Sequence, residues 1–181
     1  MAVKLSIKID ISVYPTGDYR NNEDRSAQIK SKLTEIFDRA QVPVDRYYAP
    51  TRETIKVVIK NENDIDKVFG KMNKFQEKGF QPRLSMALRA SLTVFIAGYD
   101  PTLTQTYDAT HIRQMLLDQG WEVRNVYILQ SKKAFKILMK NKNEVNRFLE
   151  MDTVKIGNVQ ILKKQIEKST QSYLNAGGVV K

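Results

Sequence analysis

An aromatic ring can stack on a nucleobase, and an ammonium group beside it can hold the neighbouring phosphate. Phe95, Tyr127 and Lys136 are the residues here whose types and placement combine those two chemistries. Lys132-Lys133 and Lys163-Lys164 lie on either side of Lys136 in sequence and are placed to rim the same surface, while Lys8 and Lys56 hold comparable positions in the N-terminal half. The whole-chain balance points the same way. There are 30 Lys and Arg against 20 Asp and Glu in 181 residues, a formal charge of +10 at pH 7. A basic chain of this size is drawn to polyanions, nucleic acid first and anionic membrane surfaces less often. The competing explanation is a lysine surface that serves solubility alone.

Other chemistries find few residues to use. There is no cysteine, hence no disulfide, thiolate metal site or cysteine nucleophile. His111 is the single histidine and reads as a surface or cap residue of a helix. Asp64 and Asp66, like Glu23 and Asp24, fall near helix starts, where a carboxylate favours the helix dipole. Trp121 follows Gly120 and reads as a packing residue. No glycine-rich phosphate loop, serine elbow or metal-ligand spacing is present. The expectation is a binding protein without a cofactor, not an enzyme.

Positioning these side chains falls to a unit that occurs twice. Residues 54–69 overlay residues 134–149 without a gap, and Lys56, Lys60, Asn61 and Asn63 meet Lys136, Lys140, Asn141 and Asn143. A repeat of about 80 residues suits a small domain, not a solenoid. In the first copy Leu5, Ile7, Ile9 and Ile11 alternate as a half-buried strand. Ile29, Leu33, Ile36, Phe37 and Ala40 then form a helical stripe that Pro43 stops. A strand near Tyr47-Tyr48 follows, then one over Ile55, Val57 and Ile59, a helix capped at Asn63, and a last strand over residues 80–86. The second copy runs through Leu92, Val94 and Ile96, a helix over 109–119 ended by Gly120, strands at 126–128 and 135–139, a helix after Asn143, and a closing strand over 154–162. The order β-α-β-β-α-β predicts an α+β fold: two tandem ferredoxin-like domains, each an antiparallel four-stranded sheet with helices on one face only.

The other face is thereby left open. Alternation puts Lys8, Asp10, Lys56, Val58 and Lys60 on it in the first copy, and Thr93, Phe95, Ala97, Ala134, Lys136, Leu138 and Tyr127 in the second. Residues 94–99, Val-Phe-Ile-Ala-Gly-Tyr, resemble the first-strand box of the RNA recognition motif family, with Phe95 where that family places a base-stacking ring. Residues 132–139 are similar to its third-strand box at the leading cation and at Ile137, but have Ala134 and Lys136 where two stacking aromatics belong. The first copy departs further, with Lys8 in place of the ring and Thr54 and Lys56 on the third strand. More loosely, a basic pair of divergent units resembles the RNA-binding part of Gag-like first-open-reading-frame proteins of non-LTR retrotransposons, without their zinc knuckles.

The expected domains are 1–87 and 88–168, joined by a short linker at 87–90 and followed by a tail over 169–181. The expected partner is RNA or single-stranded DNA, with the second domain the better binder. The alternative is a protein-interaction or self-assembly module built on degenerate units, and the first domain suits it better for want of aromatics on its face. No apolar run approaches the roughly 20 residues of a membrane span, and an intracellular setting, nuclear or cytoplasmic, is expected.

Overall fold

The computed structural model describes residues 3–9, 22–51 and 53–168. Asp10, Ile11, the turn at Pro15 and Gly17, and the tail over 169–181 lie outside them. The chain divides into two compact units, Met1–Leu88 and Arg89–Lys181. Unit 1 contains β1 (Val3–Ile9), α1 (Asn22–Arg39), β2 (Val44–Thr51), β3 (Thr54–Ile59), α2 (Ile65–Gly70), α3 (Met72–Glu77) and β4 (Phe80–Leu84). A short helix, α4 (Met86–Ser91), stands where the sequence predicts a plain linker. Unit 2 contains β5 (Thr93–Ala97), α5 (Thr102–Thr106), α6 (Ala109–Asp118), β6 (Val123–Ile128), β7 (Ala134–Met139), α7 (Lys142–Glu150), β8 (Thr153–Ile156), β9 (Val159–Leu162) and β10 (Ile166–Lys168).

Alternation decides the strands. Val3, Leu5, Ile7 and Ile9 are buried on β1 while Lys4 and Lys8 are exposed. The sheets run β2-β3-β1-β4 and β10-β5-β7-β6, antiparallel throughout, so each unit has the same strand order. Leu5, Ile7, Val57 and Ile59 meet Ile29, Leu33 and Phe37 of α1 and Phe75 of α3 in the core of unit 1, where the rings of Phe37 and Phe75 lie edge to face at 5.3 Å. In unit 2, Val94, Ile96, Phe135 and Ile137 pack with Ile112, Leu116, Val145 and Phe148 of the helices. The molecule is thus α+β, two tandem β-α-β-β-α-β units.

The correspondence between the units extends to the scaffolding bonds. Asn61 Oδ1 accepts from the Asn63 amide at 3.0 Å, and Asn141 Oδ1 from the Glu144 amide at 2.9 Å. The caps are therefore Asn61 and Asn141, not Asn63 and Asn143: Asn61 opens the 3-10 turn Glu62–Asp64 that leads into α2, and Asn141 opens α7 directly. Just inside each cap sits a buried carboxylate with a cation three residues on: Asp64 with Lys67 at 2.9 Å, and Glu144 with Arg147 at 3.0 Å. Glu144 also accepts from the Glu122 amide at 2.9 Å, tying α7 to the start of β6. The first helices end alike as well. Val42 donates to the Phe37 carbonyl and Trp121 to the Leu116 carbonyl, closing the helix through a left-handed residue, Gln41 (φ 57°) in one unit and Gly120 (φ 86°) in the other.

Three further expectations are corrected. The second helix of unit 1 is not continuous but breaks at Lys71 into α2 and α3. The long loop after β5 contains the helical turn α5, started by Asp100, whose side chain accepts from the Thr102 amide at 3.0 Å. Residues 154–162 are not the closing strand. They form a separate hairpin, β8–β9, whose Val154, Ile156, Val159 and Ile161 extend the core, and β10 closes the sheet against β5. A two-residue Gly157-Asn158 turn makes the hairpin, with Gly157 at φ 61°. Lys163-Lys164 therefore precede the last strand, in a 3-10 turn, and do not follow it.

Gly120 and Gly157 share a left-handed backbone but differ in surroundings. A Cβ on Gly120 meets open space, whereas one on Gly157 would lie 2.9 Å from Cε2 of Tyr107. Gly120→Ala is expected to cost about 1–2 kcal/mol in urea unfolding, the backbone strain alone. Gly157→Ala is expected to cost measurably more, because the partly buried Tyr107 must shift. Equal losses would contradict the packing of the hairpin on Tyr107.

Candidate nucleic-acid interface

In an antiparallel sheet, directly paired residues stand on the same face. On the helix-free face of unit 2 the pairing is Tyr127 with Lys136, Lys136 with Phe95, and Phe95 with Glu167. One row therefore runs ring, ammonium, ring, carboxylate across β6, β7, β5 and β10. Phe95, Lys136 and Tyr127 are all half-buried. The two rings are two strands apart, about 10 Å at the usual interstrand spacing. The Lys136 stem lies between them, a placement that leaves its ammonium in water.

Part of this face is roofed, and here the expectation of a bare surface needs correction. Thr93, Ala134 and Leu138 are buried, not exposed. Thr93 Oγ1 donates to the Arg89 carbonyl at 2.6 Å, and the Arg89 guanidinium lies 4.8 Å from the centroid of the Tyr127 ring. The last turn of α4 thus folds over the start of β5, and Tyr127 already carries a cation on one side. Phe95 has no such cover among the described residues, but Glu167 stands next to it.

The paired lysines gather beside the row, at the edge of the sheet where β5 ends and β7 and β10 begin. Lys132 and Lys133 are exposed in the turn before β7, with Lys132 in the left-handed region at φ 54°. Its carbonyl accepts from Thr104 Oγ1 at 2.6 Å and lies 3.4 Å from the Tyr99 hydroxyl. Burial pushes the Tyr99 phenol up, so that hydroxyl stays neutral. Exposed Lys163 and Lys164 reach the same edge, since Gln165 Nε2 donates to the Gly98 carbonyl at 2.7 Å. The loop following β5 therefore holds both lysine pairs in place. Among the described residues, none of Lys132, Lys133, Lys136, Lys163 and Lys164 forms an ion pair.

Lys8 and Lys56 belong to unit 1 and are described within it. Lys56 pairs with Tyr48 on one side and Ser6 on the other, and Ser6 pairs with Arg83. Lys8 pairs with Thr54 and Gln81. Val58, expected on the surface, is buried because it stands between Lys4 and Arg46, whose long stems cover it. The expectation that this face has no aromatic is overturned: Tyr48 is 40% exposed there. Tyr47 is its inward counterpart, packed edge-on against Phe37 at 6.3 Å. Sequence reasoning missed Tyr48, Arg89 and Glu167. The alternating Tyr47-Tyr48 pair was the available signal for the first, since one of two adjacent strand residues must face outward.

The remaining polar candidates are structural. His111 is exposed and lies 2.8 Å from Asp108, which caps α6 by accepting from the His111 amide at 2.9 Å. That amide bond, with the ring contact, holds the Asp108 carboxyl below its ordinary range. Trp121 is buried against Phe148 at 4.8 Å, under the Arg147 guanidinium at 4.2 Å. Among the described residues no cluster of three His, Asp or Glu side chains could hold a metal ion, and no helix is long and apolar enough to cross a membrane.

No family model matches the chain, and no curated protein matches it by sequence. Among solved structures it is similar to the C. elegans NONO-1 homodimer at 10% identity and a TM-score of 0.34, over 91% of this chain and 60% of that one. The chain thus spans less than two thirds of the length of that neighbour, and a likeness this slight assigns neither a family nor a function.

Proposed function

We propose that the protein binds single-stranded nucleic acid, RNA foremost, through the helix-free face of unit 2, and that it is a binding protein and not an enzyme. The observation that supports this most is the single row in which Lys136 stands directly between Phe95 and Tyr127. Two rings offer π-faces to bases, and the ammonium between them lies where the connecting phosphate must pass. Lys132, Lys133, Lys163 and Lys164 add positive charge beside that row, at the edge of the sheet where β5 ends. Most of the affinity then comes from phosphate contacts and carries little sequence information, while the rings favour unpaired bases over a duplex.

Tyr127 is the pre-stacked ring, with Arg89 on one side, and Phe95 the ring without such a cation among the described residues. A base on Tyr127 takes the side opposite Arg89, or stacks upon the guanidinium itself. Glu167 beside Phe95 works against a phosphate there, which favours one at Lys136 or at the lysine-bearing edge.

Fluorescence anisotropy of a labelled single strand against rising salt tests the reading. The affinity is expected to fall with the logarithm of salt by about 0.7 per phosphate contact. Phe95→Ala is expected to cost roughly 1–3 kcal/mol of binding without changing that slope. An affinity that is flat in salt, or untouched by Phe95→Ala and Lys136→Ala together, contradicts it. Oligomers that form without nucleic acid and are lost in the same variants would favour the assembly alternative.

A further inference from the structure

We infer that unit 1 carries a single-strand site of its own, centred on Tyr48; the inference rests on the function proposed for unit 2. Its basis is a correspondence between the units that the gapless alignment of the repeats hides. Tyr48 pairs with Lys56 in unit 1 as Tyr127 pairs with Lys136 in unit 2. The lysines are matched in the repeat, but the tyrosines are offset by one residue, so the sequence overlay sets Tyr47 against Tyr127. Register, not alignment, makes Tyr48 the counterpart.

The second tyrosine also keeps its cation. Lys4 Nζ lies 5.8 Å and the Arg46 guanidinium 6.0 Å from the Tyr48 ring centroid, as Arg89 lies over Tyr127. A ring, a directly opposed ammonium and a cation over the ring thus recur on the helix-free face of both units, built from different residues each time. A solvated lysine surface has no need to place a tyrosine, 40% exposed, among them.

The two rows differ at their far edge. In unit 2 the row ends on Glu167. In unit 1 the corresponding row ends on Arg83, and the neighbouring rows add Lys4, Arg46 and Lys8. Five cations and no carboxylate stand in the paired rows of the described residues. Glu53 sits beyond them, beside Lys8 at the mouth of a shallow cleft. Such a face complements the phosphate backbone of a single strand, with Tyr48 supplying the stack.

Strand affinity is to be measured by anisotropy on the full chain, for wild type, Tyr48→Ala, Tyr48→Phe, Phe95→Ala and the Tyr48→Ala/Phe95→Ala pair. Tyr48→Ala is expected to weaken binding roughly 5- to 150-fold, Tyr48→Phe to retain it, and the pair to lose more than either alone. Removing Arg46 and Lys56 together is expected to lower the salt slope by about 1.4, two phosphate contacts. Made as Arg46→Gln and Lys56→Gln, the first of which keeps a stem over Val58, this variant reads the charge alone should Tyr48→Ala fail to fold. If Phe95→Ala weakens binding while Tyr48→Ala and the Arg46/Lys56 variant do not, this inference falls and the unit 2 reading stands. If no variant matters, both fall. A Tyr48→Ala change in self-association with strand affinity unchanged would make the face a protein contact and overturn the inference.

Discussion

Antiparallel pairing is the constraint on which the rest of this structure depends. Each unit packs its helices on one side of its sheet, and the pairing then decides which side chains meet on the other side. Because opposed residues share a face, a lysine at the centre of the third strand must have a second-strand and a first-strand neighbour beside it. In unit 2 those neighbours are Tyr127 and Phe95, in unit 1 Tyr48 and Ser6. A slip of one residue would turn each of these side chains into the core and bring Val57 or Ile137 to the surface. The burial of Leu5, Val57, Phe135 and Ile137 is therefore what holds the open face in its arrangement.

The two units share their scaffolding and differ in their faces. Asn61 caps the 3-10 turn leading into α2 as Asn141 caps α7, and Asp64–Lys67 and Glu144–Arg147 repeat one buried carboxylate with one cation. A buried carboxylate is costly unless its oxygens are satisfied, which is reason enough for the pair to persist. No such penalty acts on the open face, where Ser6 answers Phe95 and Arg83 answers Glu167. What the two faces share is the tyrosine opposite the lysine, although the two tyrosines differ by one position in the overlay.

Much of this was legible in the residues, for identifiable reasons. The core strands have the strict alternation that burial of one face imposes, so Phe95, Lys136 and Tyr127 could be placed outward before any coordinates. Gly120 has one dominant use after a helix, and it has that use here. The failures are equally specific. Residues 153–162 alternate as well in a hairpin as in one strand, and the Gly157-Asn158 turn signal inside them was the deciding mark. Residues 86–91 contain Met, Ala, Leu and Arg, all good helix formers, so a linker was the weaker reading of them. Tyr48 escaped because a register shift between Val44 and Arg46 sets which of two adjacent tyrosines faces outward. Arg89 over Tyr127 is a contact between residues far apart in sequence, which no local pattern encodes.

The central claim is that the ring-bearing, helix-free face receives the strand. Two-dimensional NMR of the full chain, following aromatic ring signals while a short single strand is titrated in, addresses it most directly. The account predicts that the rings of Phe95 and Tyr127 shift together while Trp121 and Phe148, on the helix side of the sheet, stay in place. Movement of Trp121 and Phe148 with Phe95 and Tyr127 unmoved would contradict it.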